Sequence, residues 1–282
     1  MLLSRVCVGR SPEARANTNQ GKGKKMEPPS VLLYYQRDNP YHKNSRVEIE
    51  ALRNLGKAHE FAVVPTEERG VFGSISTAEY RAVVFLNAAS DGFSGGERDG
   101  LVRYLRSGGG FVGIHGACYL QEEWPWFQRL VGATFVDHPE IQPATLKVTH
   151  PRHPATRNLP ASWTHTDEWY NFRDVSENLG TLITVDEQTY TGGTHGDHHP
   201  VVWCQEYESG RSFYTALGHL EPSFRDPTYL RHLAGGDIGR VEPAGCSEYC
   251  GFAGLKLQGD GFRGHGIPPS RLHRIGSIPL GP

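Results

Sequence analysis

Short apolar runs alternate along this chain with longer stretches in which apolar residues recur every three to four positions, and that alternation predicts strands interleaved with helices. Val31 to Tyr35 reads as the first strand. Ser45 to His59 reads as a helix, with Val47, Ile49, Ala51, Leu52 and Leu55 on one face, Ser45 as its N-cap and Glu48 completing a capping box. Phe61 to Val64 and Ala82 to Leu86 are further short apolar runs, and Glu97 to Arg106 is a helix leading into a strand over Phe111 to Ile114. Trp126 to Val131 should be helical and end at Gly132. Leu146 to Val148, Leu182 to Val185, Val201 to Cys204 and Ser212 to Leu217 supply later strands, and Pro227 to Leu233 a final helix. This order implies one three-layer α/β domain with a mainly parallel sheet covered on both faces.

The pattern fades at both ends, which sets the expected domain at residues 30–236. Residues 1–29 are basic, with Arg5, Arg10, Arg15, Lys22, Lys24 and Lys25 against Glu13 and Glu27, and lack the apolar stretch of a secretory signal. They read as a disordered extension or an organelle-targeting segment, and Met26 offers an alternative start. Residues 237–282 are rich in glycine and proline and read as an irregular tail. Cys246, Cys250, His265 and His273 give that tail a weak metal-ligand pattern.

Charge and cysteine usage narrow the class. A formal net charge of -2 gives no electrostatic reason to expect a nucleic-acid partner. No apolar run approaches the roughly twenty residues that a membrane-spanning helix needs. Five cysteines form an odd set without the density of a disulfide scaffold, so a reducing compartment, the cytoplasm by default, is the expectation. Whether the chain forms a homo-oligomer is left open.

The chemistry concentrates where strands end. Gly109-Gly110-Phe111-Val112-Gly113-Ile114-His115-Gly116-Ala117-Cys118 reads as a buried strand running into a sharp turn, with small residues two positions either side of His115. Such an elbow holds its central side chain at the carboxyl end of the sheet, where open α/β folds bind ligands. The plainer reading is a glycine-rich strand end whose histidine bonds to backbone. A second strand over Ser212 to Leu217 delivers Gly218-His219-Leu220-Glu221, and in extended chain residues two apart face the same way, so Glu221 is expected to orient His219. Cys118 reads as a packing residue.

An elbow followed about a hundred residues later by His-x-Glu resembles the layout of class I glutamine amidotransferases, except that those enzymes carry cysteine where this chain has His115. Without that thiol there is no route to the thioester of glutaminase chemistry. The segments GGGFVGIHGA, GATFVDHPE, HPRHPATRNLP, HTDEWYNF and ESGRSFYTALGH, in this order, resemble the ThuA-like family, named for trehalose utilisation. The resemblance covers Ser30 to Gly236 and implies an amidotransferase-like fold of flavodoxin-like topology. It also implies a small-molecule carbohydrate partner such as trehalose, another glucoside or a keto-sugar derivative.

By that resemblance Glu168 is the first choice for the pocket and Asp167 the second, since adjacent residues in extended chain point oppositely. Trp169 and Tyr170 beside them suit a sugar ring's apolar face. The segment His195-Gly196-Asp197-His198-His199 reads as a solvent-facing or substrate-lining loop, with His195 as a substrate-binding candidate. His138-Pro139 and His150-Pro151-Arg152-His153-Pro154 read as rigid connections. Two classes follow: an enzyme using His115, His219, Glu221 and Glu168 for acid-base chemistry, or a non-catalytic carbohydrate-binding or interaction domain. No cofactor is assigned, and a divalent metal is left open.

Overall fold

The computed structural model describes residues 28–42, 45–119 and 124–236. The basic extension, the tail and the cysteine-histidine pattern within it lie outside the described residues. In chain order the elements are β1 (Ser30–Tyr35), α1 (Ser45–Ala58), β2 (Ala62–Thr66), β3 (Tyr80–Leu86), α2 (Gly95–Arg106), β4 (Gly110–Ile114) and α3 (Pro125–Val131). There follow β5 (Thr134–Asp137), β6 (Gln142–Val148), β7 (Ser162–Asp167), β8 (Asn171–Arg173), β9 (Gly180–Asp186), β10 (His199–Tyr207), β11 (Gly210–Thr215) and α4 (Pro227–Gly235).

Nine strands form one sheet in the order β2-β1-β3-β4-β11-β10-β9-β6-β7, while β5 and β8 pair separately. From β2 to β11 every pairing is parallel. Here Ala82, Val83, Val84, Phe85 and Leu86 are all buried in succession, as are Phe111, Val112 and Ile114. Consecutive strand residues face opposite ways, so both faces of this half are covered, giving the three layers of an α/β fold. Helix α1 turns Ile49, Leu52 and Leu55 inward. Its expected capping box is not what Glu48 does: Ser45 is already helical, and the Glu48 carboxyl turns into the interior to accept the Asn87 amide at 3.3 Å. The capping box instead opens α2, where Ser94 and Glu97 bond each other's backbone N–H.

Beyond β11 the sheet becomes antiparallel, through the β10–β11 hairpin, β9, β6 and β7. β6 and β7 alternate buried and exposed positions, so the outer two strands of this arm wet one face. Four strand steps at about 4.8 Å would separate β7 from β11 by roughly 19 Å in a flat sheet. Yet Asp167, the last residue of β7, bonds directly to Gly218 just past β11. The arm therefore curls back over the carboxyl end of the parallel half, and that curl builds the site.

Candidate functional site

His115 follows β4 with φ at +46°, a left-handed conformation that a histidine adopts only where surrounding contacts hold it. The small residues beside it have a steric cause: a Cβ at Gly113 would stand 2.9 Å from the Tyr214 ring and 3.3 Å from the Ala117 methyl. The imidazole is fully buried. Its Nδ1 lies 2.7 Å from the Ala216 carbonyl, which can only accept, so Nδ1 carries a proton. The Tyr170 hydroxyl lies 2.7 Å from Nε2.

Three atoms converge beside it. His115 Nε2 lies 3.1 Å from His219 Nδ1 and 3.2 Å from Glu168 Oε2, and His219 Nδ1 lies 3.2 Å from the same carboxylate oxygen. The other oxygen of Glu168 lies 3.4 Å from His138 Nε2. His42, after β1, sets its ring edge-on to both other imidazoles, with centroids 5.2 Å from His115 and 5.1 Å from His219. Its buried Nδ1 has no hydrogen-bond partner among the described residues.

Burial alone would raise the Glu168 carboxyl, but the His115 hydrogen bond and the charges of His115, His219 and His138 outweigh it, so Glu168 sits below the usual carboxylate range. Burial, and then His115, push His219 down. Burial with His115 and His219 pushes His42 down to about 2, so it is neutral. Burial carries Glu48 up to about 7.

Two residues position this cluster from behind. Asp167 is wholly buried and accepts the backbone N–H groups of Gly218 at 2.8 Å and His219 at 3.1 Å. Burial works to raise its carboxyl, yet His165, neighbouring histidine charge and the Gly218 N–H hold it low. Asn87, at φ +48°, accepts the Gly116 N–H at 3.2 Å and donates to the Gly218 carbonyl at 3.4 Å. One amide thus joins the turn carrying His115 to the turn carrying His219.

A cavity of about 950 Å³ opens above the cluster. His42, His138, Glu168, Tyr170 and His219 line its floor side, and Tyr41, Tyr119 and Phe135 add aromatic wall. His115 lies beneath this lining.

The structure thus brings His115, His219, Glu168 and Tyr170 together, and it moves four other expected residues elsewhere. Glu221 does not stand behind His219; its carboxylate pairs with Arg225 at 2.5 Å, and Glu168 takes the place beside His219. The same-face rule fails there because the strand has ended at Thr215 and Glu221 opens a 3-10 turn over Glu221–Arg225; Gly218 before it turns the chain at φ +110°, where any Cβ would meet the Tyr229 hydroxyl. Asp167 grips backbone instead of facing the cavity. Trp169 is buried and donates its indole N–H to the Gln142 carbonyl at 2.9 Å. His195 accepts the Phe172 N–H at 2.9 Å, and Glu187 caps its loop, so it does not line the cavity. His138, read as part of a rigid connection, is in the site. His42 and Asn87 carry no motif: Asn87 directly follows β3, His42 lies seven residues past β1 in a polar loop, and only their place at the carboxyl edge of the sheet marks them.

Comparison with solved structures finds two ThuA-like proteins of similar fold. One, from Bacteroides uniformis, is 24% identical with a TM-score of 0.62, the match covering 80% of this chain and 94% of that one. The other, from Parabacteroides merdae, is 21% identical with a TM-score of 0.62, covering 75% and 90%. Comparison with curated proteins finds no match. No helix among the described residues is long and apolar enough to cross a membrane. Residues 30–237 match the family described as trehalose utilisation, which is most of the chain, and the chain belongs to the ThuA family.

Proposed function

We propose that the cavity binds a sugar or keto-sugar and that the cluster at its floor moves a proton to or from that ligand. The observation carrying this reading is the meeting of Glu168, His219 and Tyr170 over the buried His115 inside an aromatic-walled cavity. Aromatic faces suit the C–H side of a pyranose, while Gln36, Asn39 and Asp91 on the same lining offer hydroxyl partners. Glu168 and His219 are the groups that face the ligand, and an imidazole is suited to transfers near neutral pH. His115 acts from behind: its Nδ1–H is fixed on Ala216, so its Nε2 polarises the Tyr170 hydroxyl and His219. Cysteine-dependent glutaminase chemistry has no support, since histidine occupies the elbow.

The test is a panel of glucosides and keto-glucosides incubated with the protein and followed by NMR, alongside calorimetric titration. Turnover lost in His219→Ala and Glu168→Gln supports the catalytic form. Saturable binding without turnover leaves a carbohydrate-binding domain, and neither binding nor turnover across the panel overturns the reading.

A further inference from the structure

The three converging atoms have the spacing of a metal's ligand set. Imidazole nitrogens and carboxylate oxygens bind zinc at about 2.0–2.2 Å, so neighbouring ligands stand roughly 2.9 Å apart at right angles and roughly 3.4 Å apart at the tetrahedral angle. The edges 3.1, 3.2 and 3.2 Å between His115 Nε2, His219 Nδ1 and Glu168 Oε2 fall within that interval on all three sides. We propose that these three side chains form a facial site for one divalent transition metal, open toward the cavity.

Three further observations support it. His115 gives its other ring N–H to the Ala216 carbonyl, the arrangement that fixes a ligating imidazole's tautomer and aim. His42 is nine-tenths buried, its Nδ1 is unpartnered among the described residues, and a ring nitrogen of it lies within 4.8 Å of ring nitrogens of both His115 and His219. A buried polar atom without a partner is costly, and a nearby cation offsets that cost. Asp167 and Asn87 fix the two turns by hydrogen bonds to backbone, so the imidazoles are held before any ion arrives. The donor set of two imidazoles and one carboxylate suits zinc, iron(II), cobalt or manganese over calcium, which takes oxygen ligands. The Tyr170 hydroxyl must release His115 Nε2 when the ion enters.

This inference shares its residues with the carbohydrate reading and deepens it: the open positions would take a sugar hydroxyl or carbonyl oxygen. The ion would then polarise that oxygen, and His138, on the far oxygen of Glu168, would be an unligated imidazole available for its proton.

The experiment is titration of chelator-treated full-length protein with Co²⁺, read by visible absorption, and with Zn²⁺, read by calorimetry. One equivalent is expected, with the ligand-field bands of a low-coordinate cobalt site. His219→Ala and Glu168→Gln, checked for folding by circular dichroism, should weaken binding by roughly 10–100-fold or more, a loss at least as large as supporting residues around a site produce. Glu221→Gln, whose carboxylate pairs with Arg225 and not with the cluster, should leave it within a few-fold. Absence of stoichiometric binding, or affinity unchanged in both variants, overturns the metal site. Carbohydrate titrations run on the metal-free and the cobalt-loaded protein separate the two readings. Metal binding with no carbohydrate binding in either form sinks only the carbohydrate reading, and carbohydrate binding without metal binding sinks only the metal site.

Discussion

Asp167 accepts the backbone N–H of His219 at 3.1 Å while its chain neighbour Glu168 meets the His219 ring at 3.2 Å, so two adjacent carboxylates hold one histidine by different handles. One fixes where the residue sits and the other faces the chemistry. Asp167→Ala strands two buried N–H groups, and a loss of roughly 2–5 kcal/mol in stability is expected by urea unfolding. Glu168→Gln, at the cavity edge, should stay within about 1 kcal/mol of wild type while losing ligand turnover or binding. Equal stability for Asp167→Ala and wild type would show that the clamp is unimportant.

Asn87 links Gly116 to Gly218 through one amide. Asn87→Ala is expected to loosen both turns together. The ring signals of His115 and His219 should shift or broaden in NMR spectra, and ligand binding should weaken at least tenfold, about 1.4 kcal/mol. If only one of the two histidines responds, the link does not couple the turns.

Glu48 is raised from 4.5 to about 7 by burial. A raised folded-state value means that its contribution to stability is fully present below pH 4.5 and is lost as pH rises through 7. The difference corresponds to roughly 3 kcal/mol. Glu48→Gln keeps the Asn87 contact without the titration, so the variant should gain on wild type by about that amount between pH 4.5 and pH 8. Parallel unfolding curves for the two proteins across this range would rule the effect out.

Buried histidines act in the opposite direction. His153 and His232 are each lowered from 6.5 to about 4, chiefly by burial, and His232 fills its neutral ring with the Ala155 carbonyl and the Thr215 hydroxyl. Their contribution is fully present above pH 6.5 and is lost as pH falls toward 4. Two such groups outweigh Glu48, so thermal midpoints should fall steadily from pH 7 to pH 5. His232→Asn should flatten that slope, and an unchanged slope would remove His232 from the account.

Cys118 accepts the Tyr214 hydroxyl at 3.0 Å, and burial pushes its thiol up to about 12. Native protein at pH 8 should leave this thiol unlabelled by iodoacetamide over hours, and Cys118→Ser should keep ligand binding and turnover near wild type. Rapid labelling at Cys118 coupled to loss of function would restore a thiol mechanism.

The parallel half of the fold was legible in the sequence because burial on both faces forces continuous apolar runs, as in Ala82 to Leu86 and Phe111 to Ile114. The elbow was legible too, since Gly113 and Ala117 record a steric demand that any sequence must meet there. β7 was not, because its inward positions are His165 and Asp167; a strand that buries polar residues carries no alternating hydrophobic signal. β5 and β8, four and three residues long, are too short to show a period. Motif resemblance singled out Glu168, and local spacing offered Glu221 as the partner of His219. The choice between them lay in the curl of the antiparallel arm, which carries the end of β7 back onto Gly218 and His219. That curl is a sum of small twists over four strand pairings, and no local stretch of residues encodes it. The strands of the parallel half, the turn and the chemistry at its tip follow from local residues, whereas the long-range curl of the sheet selects which carboxylate and which of the fourteen histidines meet there.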